Sequence, residues 1–174
     1  MPVVIRPART ADVSAIESLI EPFVAQRILL GKDAVVLFGS IQQFVVAENE
    51  AGEVVGCGAL HVLWRDLGEI RTVAVSESSR GTGVGKSVVT ALESQARTLG
   101  IERLFCLTFE TEFFGQLGYD IIGEVGTDTS TPSIVTPEVF AELARSHDEG
   151  VAEFLDLARV KPNTLGNTRM LKAL

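Results

Sequence analysis

Two apolar periods run along this chain. Val84, Val88, Leu92, Ala96 and Leu99 recur every three or four residues, which marks one face of a helix. Just before them, a stretch from Glu69 carries the β-branched residues Ile70, Val73 and Val75 with small residues between, the composition of a strand. Ser76 to Ser79 turns the chain, and Arg80-Gly81-Thr82-Gly83-Val84-Gly85 joins strand to helix. The order strand, glycine loop, helix is the centre of the chain.

The flanking stretches extend the pattern. Val3 to Arg6 reads as a first strand. Thr10 is placed to cap a helix with Asp12 in its first turn, and Val13, Ile16, Leu19, Ile20 and Phe23 form its apolar stripe. Pro22 predicts a kink or an end there. A short helix is expected after Asp33. Strands follow at Gln43–Asn49 and Val54–Leu63, with a turn at Ala51-Gly52; Gly56 and Gly58 leave room for close approach. Trp64 to Leu67 connects to the central strand. Past the long helix, Gly100 is its C-cap, Leu104–Thr108 a strand, Glu110–Leu117 a short helix stopped by Gly118, and Tyr119–Val125 another strand. Alternating strands and helices predict a mixed α/β sheet in one domain over residues 1–174.

From about 127 to 160 the character changes to a helical insert. Thr136-Pro137-Glu138 starts one helix, with Phe140, Leu143 and Ala144 on it. Ser146-His147-Asp148-Glu149 has a capping-box spacing before a second, with Val151, Phe154, Leu155 and Ala158. The pair is a cover on the sheet, a substrate lid or a subunit contact, so a homodimer stays open. Asn167–Leu174 closes the chain as a strand.

Composition narrows the class. The chain is 46% hydrophobic and 22% charged, ordinary for a globular enzyme. Its net charge of −8 argues against a nucleic-acid partner. With no apolar run at the N-terminus and none of membrane-spanning length, a signal peptide and a membrane partner are not expected, and a cytoplasmic location is. Cys57 and Cys106 lie in apolar, strand-like runs as buried thiols. His61 and His147 are far apart and carry no ligand motif, so no metal is expected.

The glycine loop carries the candidate chemistry. The first N–H groups of a helix lack intrahelical partners, and the helix dipole places partial positive charge there. Glycines let those N–H groups approach a phosphate, and Arg80 and Lys86 add cations. Two phosphate loops are excluded by spacing. The ATP-binding loop needs one more residue than Gly81-Thr-Gly-Val-Gly85-Lys86-Ser87 has between its outer glycines, and the dinucleotide fingerprint Gly-x-Gly-x-x-Gly is not met by glycines at 81, 83 and 85.

What fits is Arg-x-x-Gly-x-Gly, at Arg80, Gly83 and Gly85, which resembles the acetyl-CoA pyrophosphate loop of the GNAT acetyltransferases. The preceding Val73-Ala74-Val75 is similar to that family's fourth strand. The resemblance implies a mostly antiparallel GNAT-type sheet flanked by helices and acetyl-CoA as co-substrate. It implies that Arg80, Gly81, Thr82, Gly83, Val84, Gly85 and Lys86 hold the pyrophosphate and that the backbone of Val73, Ala74 and Val75 holds the pantetheine arm. It also implies that Glu69 acts as general base, directly or through water.

The family's usual acid is a tyrosine in the sequence Phe-Tyr-x-x-x-Gly-Phe; here Phe114 stands in its place and Tyr119 reads as a packing residue. Leu104–Thr108, Phe113-Phe114, Gly118-Tyr119 and the patch Ile20-x-Pro22 with Ile28-Leu29-Leu30-Gly31-Lys32 resemble one branch, the amino-acid N-acetyltransferases (N-acetylglutamate synthases). That branch implies acetyl transfer to the α-amine of L-glutamate, the first step of arginine biosynthesis. A dicarboxylate needs cations: Lys32 and Arg71 are the candidates, with Arg27, Lys161 and Arg169 weaker. The rival expectations are acetylation of another small amine or a protein amine, and a non-catalytic acyl-CoA-binding module.

Overall fold

A computed structural model describes residues 2–124, 134–155, 157 and 167–174. The elements in chain order are β1 (Val3–Pro7), α1 (Val13–Ala25), α2 (Ala34–Ser40), β2 (Phe44–Asn49), β3 (Val54–Trp64), β4 (Leu67–Val75), α3 (Val84–Thr98), β5 (Arg103–Thr108), α4 (Thr111–Gln116), β6 (Asp120–Glu124), α5 (Pro137–Leu143), α6 (Glu149–Phe154) and β7 (Thr168–Ala173). The strands form one seven-stranded sheet in the order β1-β2-β3-β4-β5-β7-β6. β4 and β5 pair in parallel, while β1 with β2, β2 with β3, β5 with β7 and β6 with β7 are antiparallel. This is the mostly antiparallel α/β sheet that the motifs imply. The chain divides into two compact units, Met1–His61 with Ile70–Leu99, and Val62–Glu69 with Gly100–Leu174.

In the first unit, α1 and α2 cover one sheet face. Val13, Ile16 and Ile20 of α1 and Leu37 of α2 are buried with Phe44, Val46, Cys57, Ala59 and Ala74. α3 covers the other face through Val84, Val88, Leu92 and Ala96, as its periodicity predicts. The glycines of β3 make this approach possible. A Cβ on Gly58 would stand 2.7 Å from a Val88 methyl and 3.0 Å from a Leu92 methyl, and one on Gly56 would stand 2.8 Å from a Val84 methyl. Leu99 departs from the predicted stripe: it is the C-cap of α3 and 61% exposed, one residue past the last turn that faces the sheet.

Two caps differ from the sequence expectation. Thr10 does not cap α1; residues 10–12 form a 3₁₀ turn, and the Asp12 carboxylate reaches back to accept the Arg9 N–H at 2.7 Å. The same carboxylate takes both Arg6 Nη atoms, at 2.7 and 2.9 Å, and Arg6 also reaches Glu48. α1 also runs through Pro22 to Ala25 instead of stopping there. It ends where Arg27 adopts φ +60°, with the Arg27 N–H on the Val24 carbonyl at 3.0 Å and the Ile28 N–H on the Phe23 carbonyl at 2.8 Å. This is a Schellman closure with arginine where glycine is usual.

The Arg6 bonds hold the Asp12 carboxyl below the usual carboxylate range, with burial opposing. A depressed folded-state value gives stability that is present above the unfolded pKa and lost as pH falls through the folded one. Asp12→Ala is therefore expected to cost about 2 kcal/mol at neutral pH, and its deficit should close below about pH 4. Denaturant titrations of both proteins across the acid range check this; a constant deficit contradicts it.

The second unit has its own core. Leu63, Leu67 and Phe105 are buried with Val135, Leu143, Val151, Phe154 and Leu155, and the Phe105 and Phe154 rings meet edge to face at 4.8 Å. Arg103 donates to the Ile134 carbonyl at 2.8 Å and pairs with Asp66 at 2.7 Å. α5 and α6 thus cover the sheet within this unit. Thr136 caps α5 as expected, through the Val139 N–H at 3.4 Å. On α6 the cap is Asp148, not Ser146: its Oδ1 accepts the Val151 N–H at 3.1 Å, and Ser146 Oγ accepts the Asp148 N–H. Residues 125–133, 156 and 158–166, which include Val125, Ala158 and Lys161, lie outside the described residues.

Candidate active site

β4 carries the residues singled out for chemistry. Its parallel pairing with β5 runs over Leu67↔Arg103, Gly68↔Leu104 and Glu69↔Phe105, and the strand itself continues to Val75. Glu69 ends that paired stretch and is only 4% exposed, so it is no surface carboxylate. Its charge is felt on β5: burial first, and Glu69 second, push the Cys106 thiol well above its ordinary value. Cys57 on β3 is likewise driven up to about 12 by burial. Both thiols are free and buried, as expected, and neither is an available nucleophile at neutral pH.

Arg71 follows two residues on, half-buried, where strand alternation places it on the side of Glu69. The next residue departs from regular strand geometry without ending the strand. Thr72 is buried with φ +55°, a left-handed conformation that a β-branched residue rarely adopts. Its carbonyl accepts a bond from the Cys57 thiol at 3.7 Å. A left-handed residue inside a strand is how a bulge re-aims a backbone, and such strain clusters at functional sites. No sequence signal marks it, because threonine is chosen for regular strands. Beyond it, Ala74 enters the α1–α2 core, while a Val73 methyl sits on the α3 side, 3.4 Å from the Cβ position of Gly58.

A 3₁₀ turn at Glu77–Ser79 follows β4, and the loop after it opens onto α3. Gly81 and Gly83 have φ of +73° and +89°, and a Cβ on either would meet nothing within 4 Å. Their glycine is thus required by the left-handed backbone, not by crowding inside the protein. Thr82 Oγ1 closes the turn on the Ser79 carbonyl at 2.7 Å. Gly83 is the N-cap of α3; it offers no capping side chain, and no acidic residue lies in the first turn. The Ser87 N–H makes the first intrahelical bond, to the Gly83 carbonyl. The N–H groups of Val84, Gly85 and Lys86 therefore have no intrahelical acceptor. With exposed Arg80 and Lys86 beside them, they form a cradle suited to an anion such as a pyrophosphate.

The remaining candidates lie elsewhere. Lys32 is half-buried just ahead of α2, and Arg27 is an exposed residue of the α1 closure. Arg169 is fully buried on β7, its Nε donating to the Glu153 carbonyl of α6 at 3.2 Å, so it ties strand to helix within the second unit. Phe114 is buried on α4, its ring edge to face with Phe113 at 5.1 Å and Tyr119 at 5.2 Å. Tyr119 packs as expected, 2% exposed, with the Lys172 ammonium over its ring at 5.5 Å. Phe114→Tyr is accordingly expected to leave turnover unchanged within about twofold. A rise near the hundredfold of general acid catalysis would mean the native protein lacks a proton donor it needs. Among the described residues no three His, Cys, Asp or Glu side chains gather into a metal site, and no helix is long and apolar enough to cross a membrane.

A mostly antiparallel sheet whose fourth strand leads through a glycine loop into a helix N-terminus suited to an anion matches an acyl-CoA transferase architecture. The chain belongs to the GNAT acetyltransferase family: the model of the Acetyltransferase (GNAT) family matches residues 17–119. It is 54% identical, over 173 residues, to an amino-acid acetyltransferase of Mycobacterium tuberculosis, covering 98% of this chain and 94% of that one. A Mycobacterium tuberculosis structure in complex with CoA and NLQ superposes with a TM-score of 0.88 at 53% identity, covering 98% and 99% of the two chains. N-acetylglutamate synthase from Neisseria gonorrhoeae, complexed with coenzyme A and N-acetyl-glutamate, is 28% identical with a TM-score of 0.75; all of this chain matches 35% of that one. The co-substrate of the family is acetyl-CoA.

Proposed function

We propose that this protein transfers the acetyl group of acetyl-CoA to the α-amine of L-glutamate, the first step of arginine biosynthesis. The observation that carries the reading is the match along nearly the whole chain to an amino-acid acetyltransferase. The Neisseria gonorrhoeae structure, with N-acetyl-glutamate bound, favours glutamate as the acceptor.

In this reading Arg80, Lys86 and the backbone from Gly81 through Gly85 hold the pyrophosphate. The N–H groups of Val73, Ala74 and Val75, beyond the part of β4 that pairs with β5, hold the pantetheine arm and polarise the thioester carbonyl. An amino-acid amine is mostly protonated at neutral pH and cannot attack until it loses a proton. Glu69 takes that proton, directly or through one water. The nitrogen then bonds to the acetyl carbon and the carbon–sulfur bond breaks. The leaving thiolate is protonated by water or by the amine's second proton, since Phe114 has none to give. Lys32 and Arg71 hold the glutamate carboxylates.

The test is release of free thiol from acetyl-CoA across the twenty amino acids, with glutamate expected to be the best acceptor. Lys32→Ala and Arg71→Ala should each raise the KM for glutamate at least about tenfold, the loss of one charge-assisted bond, and leave that for acetyl-CoA within about twofold. Equal use of an uncharged amino acid, with both variants neutral, excludes glutamate. CoA binding without thiol release with any amine makes the protein a binding module.

A further inference from the structure

The guanidinium of Arg80 has a platform that its own loop does not supply. Its Cζ lies over the ring of Phe23, 5.3 Å from the centroid, within the range of a cation–π contact. Phe23 stands in the last turn of α1. Its carbonyl accepts the Ile28 N–H at 2.8 Å and the Leu29 N–H at 3.3 Å, so the closing turn holds its backbone. Its ring packs partly buried against the α1–α2 core. Arg80 by contrast is exposed, and among the described residues no carboxylate forms an ion pair with it.

We infer that Phe23 is a positioning residue for the anion cradle: it stacks the Arg80 guanidinium so that its N–H edge is presented to a pyrophosphate. The inference rests on reading the glycine loop as the pyrophosphate site. A free arginine side chain samples many rotamers and must be ordered when it binds. A guanidinium stacked on a ring keeps its donors in its own plane, directed outward, and those edges make the paired bonds to phosphate oxygens. Stacking and phosphate binding use different parts of the same group, so both hold at once. In a chain of net charge −8, a cation held ready at the loop also offsets the repulsion that a polyanionic ligand meets.

Calorimetric titration of the full chain with CoA, at fixed ionic strength, tests this. Phe23→Leu keeps an apolar residue in the core but removes the ring face. It is expected to weaken CoA about three- to fivefold, while Phe23→Tyr binds as the wild type does. In an Arg80→Ala background, Phe23→Leu should cost nothing further, because the two residues act as one unit. The KM of S-acetylpantetheine, which has no pyrophosphate, should not change in Phe23→Leu. Should that variant fail to fold, Phe23→Met takes its place with the same expected loss. An additive loss in the double variant, or an equal loss with acetylpantetheine, would show Phe23 to be only a core residue. Arg80→Ala weakening CoA while Phe23→Leu and Phe23→Met are neutral overturns this inference alone. A neutral Arg80→Ala overturns the loop reading with it.

Discussion

Glu69→Gln is expected to lower turnover about a hundredfold or more and to leave acetyl-CoA binding nearly intact. Glutamine preserves the shape of the side chain and keeps one acceptor oxygen, while an NH2 donor replaces the other oxygen. What it removes is the negative charge at the end of the β4–β5 pairing, in a site only 4% exposed. In such surroundings a fixed carboxylate both accepts a proton and favours a cationic amine close by, and neither effect is diluted by water as it would be on the surface. The dependence on pH separates this from a positioning role. As pH rises, the free amine accumulates in solution and the need for a base falls, so the deficit of Glu69→Gln should shrink towards strongly basic buffer. Full pH–rate profiles of both proteins, with folding followed by circular dichroism, are the measurement. Parallel profiles would mean that Glu69 is not the base, and equal rates would leave it a structural residue of the strand.

The second large effect belongs to the loop. Gly83→Val should weaken acetyl-CoA by at least about tenfold, and two causes add. The position has φ +89°, which a β-branched residue resists, so the turn that aims the first N–H groups of α3 must change. A valine that did hold this conformation would project its methyls into the open space at the cradle, where no protein atom lies within 4 Å of the added Cβ and where a phosphate would come to rest. Equilibrium dialysis with labelled acetyl-CoA, alongside thermal unfolding, checks it. Binding as tight as the wild type's in a folded Gly83→Val protein would refute the assignment of the loop.

Much of this was legible in the chain because it rests on local chemistry. The stripe Val84, Val88, Leu92, Ala96 announced α3, and the glycines at 81, 83 and 85 announced the loop before it; the left-handed backbone at Gly81 and Gly83 was added by the structure. Gly56 and Gly58 signalled room for close approach on β3, and the Cβ distances show that the side chains of α3 fill it. Periodicity and turn chemistry act within a few residues, so a linear reading captures them. The same locality explains the misjudged ends. Asp148, not Ser146, caps α6, and Thr10 lies in a 3₁₀ turn whose Asp12 carboxylate turns back to the Arg9 N–H instead of capping α1, because neighbouring side-chain oxygens within one turn offer alternative acceptors. α1 continues past Pro22 because its buried stripe of Val13, Ile16 and Ile20 outweighs one lost backbone bond.

Only the tertiary structure decided the rest. Glu69 looks in the sequence like any strand carboxylate; in the fold it is only 4% exposed, on a strand paired with β5 residues more than thirty positions away. Arg169 carries the same charge as Arg71, yet packing against α6 buries it completely. Thr72 is a strand former by composition and left-handed in fact, and Phe23 belongs to the α1 stripe by spacing while its ring lies beneath Arg80. Residue type and period set which local shapes are cheap. Which carboxylate loses its water, which cation gains a platform and where a strand must bend are set by contacts that exist only once distant segments have packed.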